Sequence, residues 1–313
     1  MTSPAIAVRE LRYRYGRTQA LDGATLEVPA GALHALLGRN GAGKSTLIGC
    51  LTGLLRARDG SVHILGRPVP REAAAALAEV GVAFEVGAFY GELSGRANAR
   101  AFARLKGLAA AEADAALERL GIAGPAAERP VSTYSMGMRQ RLSLARALLG
   151  RPRLVILDEP FNALDPDGVV EVRRLIRERR DRDGTAFLVS SHNLLEMERL
   201  AERVSILREG RVVRDGPLEA LIRGAGGHYR LEVGDPARAR ALVTEAAVPF
   251  AGAGNALEVR IAREAVPDLV RRLAAEGVAI YEVREVVPTL EDVFRELAGP
   301  RAAAPPGREE AAA

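Results

Sequence analysis

Gly38, Gly43, Lys44 and Ser45 stand at the spacing G-x-x-x-x-G-K-[ST] within residues 38–46, which read GRNGAGKST. That spacing suits the cradling of a phosphate chain. Glycines at 41 and 43 let the backbone turn its N–H groups onto phosphate oxygens, where a Cβ would obstruct close approach. Lys44 supplies a point charge toward the β- and γ-phosphates of a nucleotide, and the Ser45 hydroxyl can ligate Mg²⁺. Asn40 and Thr46 belong to the same phosphate-binding stretch.

A second group of oxygens follows residues 154–157, LVIL, at Asp158 and Glu159. Four apolar residues ending in an aspartate place Asp158 at the C-terminal edge of a buried strand, beside the phosphate loop of a parallel sheet. There it can hold Mg²⁺ directly or through water. Glu159 can polarise a water for attack on a γ-phosphate. Taken alone, this pair reads equally well as an acidic strand cap.

The elements that must position these groups follow from periodicity. Residues 32–37 read as a short buried strand and residues 45–55 as a helix, so phosphates would meet a helix N-terminus, where unpaired N–H groups and the helix dipole favour anions. Residues 6–28 alternate as strands, with turn residues expected at Gly16 and at Asp22-Gly23. Residues 60–66 and 80–86 are further strands, and residues 71–79 a helix. Residues 95–149 look wholly helical, punctuated by Gly121, Gly124-Pro125 and Pro130. Strand and helix alternate again to residue 207. The fold class is therefore α/β, a phosphate-loop core with a mainly parallel sheet, antiparallel N-terminal strands and a helical lobe over about residues 90–150.

The composition shifts after Gly224-Ala225-Gly226-Gly227, which reads as a linker. Beyond it the predicted order is βαββαβ, the ferredoxin-like pattern of a small α+β domain over residues 228–298. Residues 1–223 form the larger domain. Residues 299–313, rich in Ala and Pro, carry no hydrophobic period and read as a disordered tail.

Composition narrows the partners. Of 313 residues, 48% are apolar, which is enough for a sizeable core, and Lys plus Arg (44) exceed Asp plus Glu (40) by only four. The charges are interspersed and concentrate no basic face, which argues against nucleic acid as a partner. A single cysteine, Cys50, excludes an internal disulfide and a cysteine-rich metal site. Residues 1–10 lack a basic-then-apolar signal pattern. No apolar run approaches a membrane span, so any crossing of a bilayer falls to another chain.

Between the phosphate loop and Asp158 lies Tyr134-Ser135-Met136-Gly137-Met138-Arg139-Gln140-Arg141. Here the chain resembles the ATP-binding cassette (ABC) ATPases, whose signature LSGGQ-x-Q-R leads into the Walker B strand. Ser135, Gly137, Gln140 and Arg141 match, while Tyr134, Met136 and Met138 depart from the pattern. A serine and the N–H groups around Gly137 make a helix-start anion site. The resemblance implies that this site caps the γ-phosphate of ATP held by a second subunit.

It also implies roles elsewhere: Tyr15 stacking on adenine, Asp165 in a D-loop between subunits, and His192 bonding the γ-phosphate. Glu85 stands where the family has its Q-loop glutamine, as in a subgroup of bacterial drug or ABC-2-type exporters, and would face Mg²⁺ or water. Phe84, Phe89 and Tyr90 are expected to line a groove for a helix of a membrane partner. The segment Pro288-Thr289-Leu290-Glu291-Asp292-Val293-Phe294 is similar to the accessory domain of such exporters.

The expected protein is thus an ATP- and Mg²⁺-dependent ATPase. It would work as a homodimer or with a related subunit, against a separate transmembrane permease, on the cytoplasmic face of the cell membrane. Two alternatives are a soluble ABC ATPase acting on ribosomes or DNA and an ATP-holding regulatory module. The single set of motifs without sustained heptads speaks against the first, and Glu159 with His192 against the second.

Overall fold

The computed structural model describes residues 3–84, 88–223, 227–252, 254–286 and 288–298. The chain divides into two compact units, Met1–Leu218 and Glu219–Ala313.

The first unit opens with β1 (Ile6–Tyr15), β2 (Thr18–Val28), β3 (Leu33–Leu37), α1 (Lys44–Leu51), β4 (Asp59–Ile64), β5 (Arg67–Val69), α2 (Ala73–Leu77) and β6 (Val80–Ala83). The helices α3 (Gly95–Leu105), α4 (Ala110–Arg119), α5 (Pro125–Glu128) and α6 (Met136–Ala147) follow. The unit then runs through β7 (Leu154–Asp158), α7 (Pro166–Asp183), β8 (Ala186–Ser191), α8 (Leu194–Leu200), β9 (Arg203–Arg208) and β10 (Arg211–Pro217), before α9 (Leu218–Arg223).

The central sheet has the order β10-β9-β3-β8-β7-β6, parallel from β9 to β6, with β10 antiparallel at its edge. Strands β3, β7 and β8 are buried along their whole length. That is why their sequences are continuous apolar runs rather than alternating ones. A second, antiparallel sheet is ordered β2-β1-β4-β5. Ile6, Val8, Leu26, Val28 and Ile64 from this sheet share one core with Leu47 and Ile48 of α1 and with Leu36 and Ile156.

Register brings the chemistry together. Leu37 pairs with Ser191 and Asp158 with Ser190, so β3, β8 and β7 end side by side. The segments that leave those three ends carry Lys44, His192 and Glu159.

Several expectations need correction. Asp22-Gly23 is not a turn but lies inside β2, at a register shift opposite Arg12. Asp22 accepts hydrogen bonds there from Arg12 and Arg211, and these hold a charged residue in a strand. The helix after the phosphate loop stops at Leu51, because Gly53 turns left-handed at φ 72°. The helical stretch over residues 95–149 breaks as expected around Gly121, Gly124-Pro125 and Pro130, and also at Gly107, giving four α-helices and a short 3-10 turn at Val131–Thr133. Glu85 lies outside the described residues, as do the linker residues 224–226 and the tail from residue 299 onward.

The second unit contains β11 (Gly227–Val233), α10 (Pro236–Glu245), β12 (Phe250–Ala251), β13 (Ala256–Ile261), α11 (Val266–Ala275), β14 (Ile280–Val286) and α12 (Leu290–Ala298). Its sheet is antiparallel, ordered β12-β13-β11-β14, as a ferredoxin-like βαββαβ chain requires. Tyr229, Leu231 and Val233 alternate inward with Leu257 and Val259 against Leu242 of α10 and Leu273 of α11.

Candidate active site

The loop after β3 is shaped by its glycines. Gly43 caps α1 at φ 106°, a conformation open to few residues other than glycine. A Cβ there would also come within 2.5 Å of the Ala20 carbonyl oxygen. No side chain caps α1, so its first N–H groups remain for an anion. Lys44 is nearly buried, and its Nζ donates to the Gly38 carbonyl at 2.7 Å. The same Nζ lies 3.5 Å from Oε1 of Glu159.

Glu159 is the hub of the arrangement. Its other carboxylate oxygen, Oε2, accepts from Nδ1 of His192 at 2.9 Å. Its backbone adopts φ 50°, unusual for a residue with a side chain and costing on the order of 1–3 kcal/mol. Two hydrogen bonds hold that conformation, from the Glu159 N–H to the carbonyl and to Oγ of Ser190, each 3.1 Å. Ser190 in turn donates its Oγ–H to Oδ1 of Asp158 at 2.5 Å. One buried serine on β8 therefore holds the Asp158 carboxylate at the end of β7 and the main chain of Glu159 just beyond it. The pattern that singled out Asp158 and Glu159 carried no sign of Ser190, which lies 31 residues beyond Glu159.

A cleft of about 520 Å³ joins Lys44, Glu159 and His192, with Asp158 buried behind its lining. Tyr15, Asn40, Gly41, Lys44, Glu159 and His192 all border it. Gly43, Ser45 and Thr46 also face it, together with Arg39 of the phosphate loop and Asn162, three residues before Asp165. Tyr15 is half exposed at its mouth, its ring set edge-on to Tyr13 with centroids 4.9 Å apart. Gly38 is buried and meets the site through its carbonyl alone.

Ser135, Gly137 and Asp165 are not part of that cleft. They line a separate concavity of about 420 Å³. Ser135 caps α6, its Oγ accepting from the Met138 N–H at 3.2 Å. Asp165 caps α7, accepting from the Gly168 N–H at 3.0 Å. A Cβ on Gly137 would approach the Ala163 carbonyl oxygen to 2.8 Å, so the first turn of α6 can sit this close to residue 163 only with glycine. Arg141 ties the two caps together, reaching Glu171 at 2.7 Å and Asp165 at 3.5 Å. Tyr134 is buried where the signature carries leucine, and its hydroxyl donates to the Ala126 carbonyl at 2.7 Å.

A family profile described as "ABC transporter" matches residues 21–162. A second, described as "ATP-binding protein DrrA1-3-like, C-terminal domain", matches residues 216–298. The daunorubicin resistance ATP-binding protein DrrA3 of Streptomyces coeruleorubidus is 36% identical over 310 residues, covering 96% of this chain and 97% of that protein. This chain belongs to the ABC transporter ATP-binding proteins. The bacitracin transport ATP-binding protein BcrA of Enterococcus faecalis is 31% identical, with 94% of this chain and 96% of that one covered. A solved ATP-binding subunit of an ABC transporter superposes with a TM-score of 0.65 at 30% identity, over 70% of this chain and 92% of its own. As a member of this ATPase family, the protein carries the cassette in its first unit and the DrrA-like domain in its second. Among the described residues no helix is long and apolar enough to cross a membrane.

Of the residues expected to line a groove for a membrane partner, Phe84 packs partly buried against the core. Phe89 turns inward, its ring edge-on to Phe102 at 6.3 Å. The guanidinium carbon of Arg146 lies 5.3 Å from the Phe89 ring and 5.0 Å from that of Phe102. Tyr90 is exposed.

Proposed function

We propose that two cassettes close head-to-tail around two ATP molecules, coupling hydrolysis to transport, in the export direction, by a separate membrane subunit at the inner face of the cell membrane. The observation that carries this reading is the split of the machinery. Lys44, Glu159 and His192 meet in one cleft, while Ser135, Gly137 and Asp165 line another. Each chain then supplies two half-sites, and a second copy or a related subunit completes both.

In this reading Tyr15 stacks on adenine and the loop from Gly38 through Thr46 wraps the phosphates. The Lys44 ammonium now faces Glu159 and the Gly38 carbonyl, and an entering γ-phosphate offers it a stronger counter-charge. Glu159, released from Lys44 but still held by His192, becomes the base that takes a proton from the attacking water. His192, half exposed at the cleft, meets the γ-phosphate. The partner's copy of the Ser135 helix start caps the same phosphate from the far side. ATP serves as interfacial glue, and its hydrolysis removes the contacts that closed the dimer.

The donor set suits Mg²⁺: the Ser45 hydroxyl and Asp158 are hard oxygens, with Asp158 held in place by Ser190. Among the described residues no group of three or more His, Cys, Asp or Glu is arranged as a complete metal cage. That is expected of an ion whose remaining ligands are nucleotide oxygens and water. When bound, Mg²⁺ would neutralise charge on the β- and γ-phosphates.

The test is complementation between two crippled chains. Lys44→Ala removes the phosphate-loop half and Ser135→Arg the capping half, so each alone should be inactive. Mixed, they can assemble one dimer site from two intact halves, and ATPase activity should reappear. A mixture as dead as its components would mean that the site lies within one chain. Recovery of a multi-span protein with the tagged chain from solubilised membranes supports the transport coupling, whereas ribosomal proteins or DNA in its place would overturn it.

A further inference from the structure

On the other side of the cassette from the nucleotide cleft, the chain entering β7 passes between the ends of α4 and α7. A concavity of about 180 Å³ opens there, lined by four guanidiniums (Arg119, Arg151, Arg179 and Arg182) and a single carboxylate, Glu112. Its volume is below the range of roughly 300–1,000 Å³ typical of sites for drug-sized ligands.

The arginines come from three segments. Arg119 ends α4, Arg151 lies in the connector before β7, and Arg179 and Arg182 occupy the last turns of α7. Arginine near a helix C-terminus is ordinarily explained by the helix dipole. That account covers Arg119 and Arg182. It does not cover Arg151, which is outside any helix and sits at φ 49°.

Local carboxylates neutralise the group only in part, on the α7 side. Asp183 is shared, at 2.9 Å from Arg179 and 3.1 Å from Arg182, and Glu178 adds a 3.6 Å contact to Arg182. Arg119 and Arg151 have no ion-pair partner among the described residues. The Nε of Arg179 is buried without a hydrogen-bond partner, although its side chain is only 12% exposed. Buried donors are nearly always satisfied.

We propose that this concavity binds a small phosphate-type oxyanion, inorganic phosphate or a compact phosphate monoester, between Arg119, Arg151, Arg179 and Arg182. Guanidinium forks match phosphate oxygens in pairs, and several forks from different segments fix an anion where one surface arginine would not. Occupancy would join the helical lobe, through Arg119, to the core, through Arg179 and Arg182. Glu112 at the rim disfavours a ligand carrying a second negative group on that side.

The probe is inorganic phosphate, titrated calorimetrically into the full chain with the nucleotide cleft filled by ADP, against chloride at matched ionic strength. Arg119→Gln with Arg151→Gln removes two charges that hold no other partner, so folding and ADP affinity should be unchanged. Phosphate affinity should fall by at least about tenfold in that double variant. Arg119→Lys with Arg151→Lys, which keeps the charge, should restore part of it. Phosphate binding equal in the wild type and the Gln variant, or no phosphate binding beyond the chloride control, would overturn the proposal.

Discussion

The ammonium of Lys44 lies 3.5 Å from the Glu159 carboxylate, and both side chains are more than nine-tenths buried. The phosphate-loop lysine is thus matched to the same carboxylate proposed as the base. Exchanging that contact for phosphate oxygens is the first thing ATP does in the cleft under this reading.

Glu159→Gln keeps the shape and removes the charge. The variant should bind ATP at least as tightly as wild type, while phosphate release slows by about 10²- to 10⁴-fold. It should also accumulate as an ATP-bound dimer on size exclusion. Hydrolysis within a few-fold of wild type would remove Glu159 from the role of base.

Ser190→Ala tests the residue behind the Asp158 carboxylate and the Glu159 main chain. Asp158 would lose its donor and the Glu159 N–H one of its two acceptors. A loss of about 1–3 kcal/mol in denaturant unfolding is expected, with a lower kcat. Unchanged stability and turnover would show that Ser190 merely fills space.

Arg146→Met should break the link between α6 and the strand end before residue 85. Its guanidinium stacks on Phe89 and Phe102 and donates to the carbonyls of Val82 and Ala88 at 3.4 and 3.3 Å. We expect a loss of roughly 1–3 kcal/mol, not recovered by Arg146→Lys, because a lysine cannot stack and fork together. Full rescue by lysine would reduce the site to a simple charge.

His34 makes acid stability a readout of the core. Buried on β3, it bonds Ser205 through Nε2 at 2.7 Å, and burial lowers its pKa from 6.5 to about 4 against the opposing pull of Asp215. Between those two values the unfolded chain binds a proton that the folded chain refuses. Stability should therefore fall as pH drops through that window and be fully restored above it. His34→Leu should flatten this part of the urea-midpoint profile, and an unaltered acid slope would assign the loss to other groups.

The parts of the site legible in the sequence were local ones. The phosphate loop needs glycines at fixed spacing, and a buried parallel strand must be apolar until its last residue, so Lys44 and Asp158 could be read directly. The order of the second unit was legible for the same reason, since its central strands β11 and β13 alternate buried and exposed residues. Strand β10 was not legible: most of its residues face solvent on an edge, and no hydrophobic period marks it. Asp22-Gly23 read as a turn because its two arginine partners come from positions 12 and 211. The links Ser190–Asp158 and Arg146–Phe89 depend on which elements become neighbours. Residue type and spacing do not encode that.

The positive φ of Glu159 also limits what the position can become. A residue branched at Cβ cannot enter that backbone conformation without strain, whatever its chemistry. In a saturation library at codon 159, valine, isoleucine and threonine should therefore vanish at the level of soluble protein. Glutamine, asparagine and glycine should fold and fail only in turnover. The tolerated alphabet is set first by the main chain and only afterwards by the reaction.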